Sequence, residues 1–170
     1  MSQFKELPQV EFAVAAQNAF KKFFQFNGRI RRSEYWWGFL TLFIAAFVIS
    51  LVPFVGPLVA LVLSIAGISM QFRRLHDTGR SGWWWAAQAC VGTISCTLFF
   101  VSFNFSAYLE AIRSQDIRAA MNVLISAITS ITGILAIVFY LINIALGITI
   151  LVFLLQDSQP EANKYGESPK

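Results

Sequence analysis

Arg73-Arg74-Leu75-His76-Asp77-Thr78-Gly79-Arg80-Ser81-Gly82 is the stretch on which the rest of the chain turns, and Trp83-Trp84-Trp85 follows it at once. It holds three arginines, the only histidine of the chain, an aspartate and two glycines. Tyr35 to Phe72, on one side of it, carries no charged residue, and neither does Trp83 to Leu109 on the other. A polar segment between two such runs joins two membrane spans and gathers chemistry on one face of a bilayer.

The composition agrees. Across 170 residues, 56% are hydrophobic and 13% charged, outside the globular range. The apolar residues also fall in blocks, which a soluble core of this size could not hide. The net charge of +4 comes from basic residues beside apolar runs. That placement fits membrane orientation and anionic headgroups better than nucleic acid, so no nucleic-acid partner is expected. Cys90 and Cys96 lie six apart in one run and so point to different sides of a helix. They form no CxxC motif and read as small packing residues.

Outward from the central stretch, the first span is expected at about 36–52, behind Arg29, Arg31, Arg32 and the interfacial Tyr35-Trp36-Trp37. Pro53 to Pro57 is an uncharged turn, and the second span follows at about 58–72. Both are short, since about 16 residues rise about 24 Å against a hydrocarbon core of about 30 Å. A re-entrant hairpin is the competing reading. The third span is expected at about 83–103. The charge-free run 119–156 is too long for one upright span. It is divided at Thr132-Gly133, with an interfacial or outward-projecting helix over about 106–130 capped by Asn104 or Ser106 and a fourth span at about 134–155. The result is an all-α, multi-pass membrane protein. It has four transmembrane helices over 35–156, an N-terminal amphipathic segment over 1–34, a helical span three–four connection and a polar tail over 157–170.

Within residues 1–34, Pro8 is placed to open a helix. Phe12, Ala16, Ala19, Phe20 and Phe23 recur on one face, and Asn27-Gly28 would end it. That face suits either the membrane surface or the protein's own side. The tail is expected to be extended. Six basic residues precede the first span and three lie in the central stretch. Positive-inside reasoning therefore puts both termini in the cytoplasm. No cleavable signal is visible, so the first span is expected to stay in the mature protein.

Three motifs carry a resemblance. Gly28-Arg29-x-x-Arg32-x-Glu34-Tyr35-Trp36, Arg73 to Trp83, and Asn163-Lys164-Tyr165-Gly166-x-x-Pro169 together resemble the DUF805 family, over about Phe24 to Pro169. The resemblance implies a small bacterial inner-membrane protein, multi-pass, from a family without a settled biochemical role. Arg31 stands where the family usually has a small residue, and the span three–four connection is longer than usual.

If the three motifs meet, Arg29, Arg32, Arg73, Arg74 and Arg80 form a cationic cluster with Glu34 and Asp77 as counter-ions. Glycine N–H groups near Gly79 and Gly82, beside His76 and Trp83, would suit a phosphate or carboxylate such as a lipid headgroup. The other reading pairs the arginines internally and uses them to cap helix ends. Asn163, Tyr165 and Gly166 form the tail motif. One histidine and two separated cysteines do not make a metal site, and neither a metal nor a cofactor is expected. No nucleotide loop, GxSxG elbow or HExxH occurs, so an enzyme is not expected. Gln88, Thr93, Ser95, Thr97, Tyr140 and Asn143 in the spans are uncharged and suit helix-to-helix hydrogen bonds, with Asn143 the best packing contact. The expectation is a non-enzymatic scaffold or regulator. Its arginine-rich cytoplasmic surface would meet anionic lipid, a protein partner or a second copy. A small solute or ion transporter or channel is the alternative.

Overall fold

A computed structural model describes residues 10–169. Among them, seven helices follow in chain order: α1 (Phe12–Lys21), α2 (Arg32–Ser50), α3 (Val55–Asp77), α4 (Trp83–Ser102), α5 (Phe105–Arg113), α6 (Ile117–Thr129) and α7 (Ile131–Leu155). No strand is present among the described residues beyond one isolated bridge, Asn163 to Gly166. Helices α2, α3, α4 and α7, with 19, 23, 20 and 25 residues, are long and apolar enough to cross a membrane. The chain divides into two compact units. One holds the residues up to Trp85 and those from Leu151 onward, the other Ala86–Ile150.

In the first unit α1 packs on α2 and α3. The contact is made by small residues, Ala15 and Ala19, both fully buried. A Cβ on Gly38 of α2 would run into the Met70 thioether of α3 and lie 3.5 Å from the Ala19 methyl. Close approach of helix backbones through small residues is how helices associate in lipid, where apolar burial alone gives no preference. The packed face is thus mainly the alanine edge of α1, with the half-exposed Phe12 meeting the Trp37 ring of α2 edge-on at 5.6 Å and Phe20 exposed. Pro8 lies outside the described residues. The helix ends at Lys21 rather than at Asn27-Gly28, its last turn closed by the Lys22 N–H donating to the Asn18 carbonyl.

Helix α2 starts before its expected span and ends two residues short of it, while α3 runs past both limits of its own. Helix α2 begins at Arg32, with Glu34 in its first turn complementing the positive end of the helix. Helix α3 continues through Arg73, Arg74 and His76 to Asp77. At about 1.5 Å per residue the two rise about 28 and 34 Å, so neither is short for a bilayer.

The second unit joins α4 to α7. Asn143 Nδ2 donates to the Gln88 carbonyl at 2.7 Å, and Ser95 Oγ to the Ala136 carbonyl at 2.9 Å. Thr93 and Thr97 instead bond the carbonyls four residues back in their own helix. The connection expected as one helix over 106–130 is two. Asn104 Oδ1 caps α5 by accepting from the Ala107 N–H, and Asp116 Oδ1 caps α6 from the Ala119 N–H. Between them Gln115 takes φ +55, and the N–H groups of Gln115 and Asp116 close a Schellman turn on Ile112 and Ala111. The break before α7 falls at Ser130, not Thr132-Gly133. Ser130 is extended, and its hydroxyl accepts from the Gly133 N–H as an N-cap.

Gly38 of α2 and Gly67 of α3 give a paired test. Gly38→Leu forces α1 and α3 apart and should cost about 1–3 kcal/mol. Gly67→Leu has open space within 4 Å and should leave the thermal midpoint of the detergent-extracted protein nearly unchanged.

Candidate functional site

The three polar motifs meet where α3 ends. Asp77 is fully buried, and each of its carboxylate oxygens meets a guanidinium. Arg29 Nε donates to Oδ1 at 3.1 Å, and Arg74 Nη1 donates to Oδ2. The side chains of all three are within 1% of complete burial. Such a triad is costly to desolvate and holds only if the remaining N–H groups are also bonded.

They are, and by backbone carbonyls. Arg74 Nε donates to Leu154 O at 3.1 Å and Nη2 to Gln156 O, while the Ser158 hydroxyl lies 3.4 Å from Nη1. Leu154 sits in the last turn of α7, whose terminal carbonyls have no partner within the helix. A buried cation there bonds them and complements the negative end of the helix. Arg32 adds a bond to the Leu155 carbonyl at 3.3 Å. Arg29 Nη1 donates to Glu161 O and Gly166 O at 2.7 and 3.2 Å, and Nη2 to Gln159 O at 2.5 Å and Asp77 O at 3.5 Å. All five Arg29 N–H groups thus have acceptors. Arg73, also buried, donates to Ser69 O and Lys22 O, the second at the end of α1.

The chain leaves α3 through a Schellman turn. The Arg80 N–H donates to Leu75 O and the Gly79 N–H to His76 O, with Gly79 at φ +77. A Cβ at Gly79 would strike the Gln159 side chain, so the glycine provides both the turn and room for the tail. Arg80 lies over the Phe153 ring at 3.8 Å.

The tail, expected to be extended, folds back instead. The Gln159 N–H donates to Asp77 O, and Asn163 and Gly166 exchange backbone bonds. Asn163 Nδ2 donates to His76 O at 3.0 Å. Tyr165 stacks on the His76 ring at 3.8 Å and 5°. His76 Nδ1 lies 3.2 Å from Gly28 O, and because a carbonyl only accepts, Nδ1 carries the proton. The imidazole is a latch between the first motif and the tail.

Of the motif residues, Arg29, Arg32, Arg73, Arg74, His76, Asp77, Arg80, Asn163, Tyr165 and Gly166 therefore come to this junction or its rim. Some change character. Arg73, Arg74, His76 and Asp77 are buried rather than displayed. Asp77 is the shared counter-ion of Arg29 and Arg74, while the Glu34 carboxylate acts on Arg73. Glu34 accepts from Asn18 Nδ2 at 2.8 Å and ties α1 to α2. Trp83 is exposed. Sequence reading missed Ser158 and Gln159, whose only signal was their place between Asp157 and Pro160. Among the described residues no group of three or more His, Cys, Asp or Glu side chains is placed to hold a metal. A groove of about 290 Å³ between α2 and α3 is lined mainly by apolar side chains, with Tyr35, Ser64 and Gln71 its polar members and no carboxylate, imidazole or amine.

Four helices long and apolar enough to cross a membrane define a multi-pass membrane protein. The family model for a protein of unknown function, DUF805, matches residues 23–167, and the chain belongs to that family. A 76-residue segment is 34% identical to the inner membrane protein YhaH of Escherichia coli (strain K12), covering 38% of this chain and 63% of YhaH. A 91-residue segment is 33% identical to the inner membrane protein YhaI of the same strain, covering 49% of this chain and 68% of YhaI. The chain thus spans under two thirds of YhaH and about two thirds of YhaI. No solved structure matches.

Asp77→Asn strands two buried guanidinium groups and should cost on the order of 3–5 kcal/mol. Ser158→Ala, at the edge of the network, should cost about 1 kcal/mol. Thermal denaturation in one detergent, with the two variants beside the parent, reads both.

Proposed function

We propose that the protein is a non-enzymatic inner-membrane scaffold or regulatory component. Its motif-bearing face is cytoplasmic and sits against anionic headgroups. The observation that carries this reading is the direction of the guanidinium groups. Those of Arg29 and Arg74 point inward to Asp77 and to backbone carbonyls, so they build the junction rather than take a ligand. Both Asp77 oxygens are occupied and His76 is stacked and bonded. The acid and the imidazole of the junction are thus both engaged in structural contacts rather than paired as a catalytic acid and base would be.

What the junction turns outward is a ring of cations and aromatics. Lys21, Arg32 and Lys164 are exposed on its rim, with Arg32 only loosely paired to Asp157 at 3.6 Å. Trp37, in the second turn of α2, and Trp83 and Trp84, at the start of α4, are exposed as well. Tryptophans at headgroup depth together with flexible cations suit an anionic leaflet. The excess of basic residues at this end supports a cytoplasmic orientation. The relatives YhaH and YhaI are inner membrane proteins by name, consistent with the same membrane here.

Native mass spectrometry of the gently extracted protein with phosphatidylglycerol or phosphatidylcholine tests the reading. The parent should retain phosphatidylglycerol preferentially. Lys21→Gln/Lys164→Gln should lose that preference with a nearly unchanged melting temperature. Equal phosphatidylglycerol retention in parent and variant would sink the lipid assignment.

A further inference from the structure

The α5–α6 hairpin is built the opposite way from a soluble one. Its buried residues are Ala111, Ala120 and Ala127, so small side chains face inward. Its large apolar residues face outward. On α6, Ile117, Met121, Leu124, Ile125 and Ile128 are all exposed and recur every three or four residues, a single stripe along the helix. On α5, Phe105, Leu109 and Ile112 repeat the pattern.

A second exposed stripe, Arg118, Asn122, Ser126 and Thr129, runs along α6 beside the first. One helix thus presents an alanine face to its neighbour, an apolar face and a polar face. The Ser126 and Thr129 hydroxyls bond the Val123 and Ile125 carbonyls of their own helix. The exposed Arg118 and Asn122 are therefore what call for water on this side, while the apolar stripe calls for something other than water on the other. With 13 residues, α6 rises about 20 Å and is too short to cross a bilayer.

What covers the apolar stripe follows from its continuity with the spans. Ile128 leads through the Ser130 cap to Ile131, 79% exposed, and then to Ile134 and Leu135 on the outside of α7. At the other root, Phe100 and Val101 on the outside of α4 lead to Phe105. The exterior of α4 and α7 is exposed apolar surface of the kind that faces lipid. Exposed apolar residues continue from it into the hairpin on either side of the polar caps Asn104 and Ser130. The four charges near the turn, Glu110, Arg113, Asp116 and Arg118, cancel.

We propose that the α5–α6 hairpin lies in the plane of the membrane interface at the Ser102 and Ile131 ends of α4 and α7. The Ile117–Ile128 stripe is seated at the boundary of headgroups and acyl chains, and Arg118, Asn122 and Ser126 face water. Because the hairpin's charges balance, it is held by apolar burial, and its seating is independent of anionic lipid. The long connection is a membrane-surface element in its own right.

Single spin labels at Met121, Ile125, Ile128, Asn122 and Ser126, placed by cysteine substitution on a Cys90→Ala/Cys96→Ala background, test the seating. The labelled proteins are reconstituted in phosphatidylcholine vesicles with and without phosphatidylglycerol. Molecular oxygen should relax labels 121, 125 and 128 several-fold more than a water-soluble nickel chelate does. The ratio should reverse at 122 and 126, identically in both vesicles. Chelate access at 121 and 128 equal to that at 122 overturns the proposal, as does exclusion of both relaxants, which marks a protein contact. If the cysteine-free background fails to assemble, Met121→Trp and Asn122→Trp in the parent serve. Against the common signal of the native tryptophans, added quenching by brominated lipid must appear in the first and not the second.

Discussion

A carboxylate held between two buried guanidinium groups fixes the polar end of this protein. Asp77 lies at the end of α3, Arg74 one turn before it, and Arg29 in the segment that precedes α2. Each arginine then reaches a different part of the C-terminal region: Arg74 the end of α7, and Arg29 the tail that follows it. One anion thereby holds in register three segments far apart in sequence. The arrangement stands only as a whole, because each ion left without partners in the interior is a large penalty. The carbonyl bonds are what make burial of a net positive triad tolerable.

The membrane explains why arginine is used. Helices α1, α3 and α7 all finish at this junction, and each leaves terminal carbonyls that the helix itself cannot bond. Water meets that need for a soluble helix. Here the ends are packed together, and side chains with several donors meet it instead. Arg73 serves the end of α1, Arg74 and Arg32 the end of α7, and a Schellman turn through Gly79 the end of α3. A guanidinium offers five donors in a fixed fork, so it can join a carboxylate and carbonyls from separate segments at once. Lysine would keep the charge and lose the geometry.

The spans were legible because their signal is local: long runs without charge leave no other fold at this length. Asn104 as a cap was legible for the same reason, since the side chain acts on the N–H three residues on. The end of α3 was not. Charged residues ordinarily mark a span's limit, and nothing in Arg73-Arg74-Leu75-His76-Asp77 shows that its partners lie at residues 28–30 and 154–166. The tail was misread on composition, because Pro160, Gly166 and Pro169 suit an extended chain as well as a turn held by outside contacts. Ser130 lost to Gly133 as the break before α7, although the hydroxyl N-cap is the stronger local device. On α1 the periodicity was visible, but the large apolar face drew the eye while the alanine edge makes the contact.

The most direct test of the account is hydrogen exchange of the full chain in lipid nanodiscs, read over residues 156–169 with Arg29→Lys beside the parent. If the buried triad holds the tail, the amides of Gln159 and Gly166 exchange slowly in the parent and markedly faster in Arg29→Lys, while the interiors of α4 and α7 are unaffected. Exchange of the parent tail at the rate of an unstructured peptide would contradict the account, because Gln159 would then not be bonded to the end of α3.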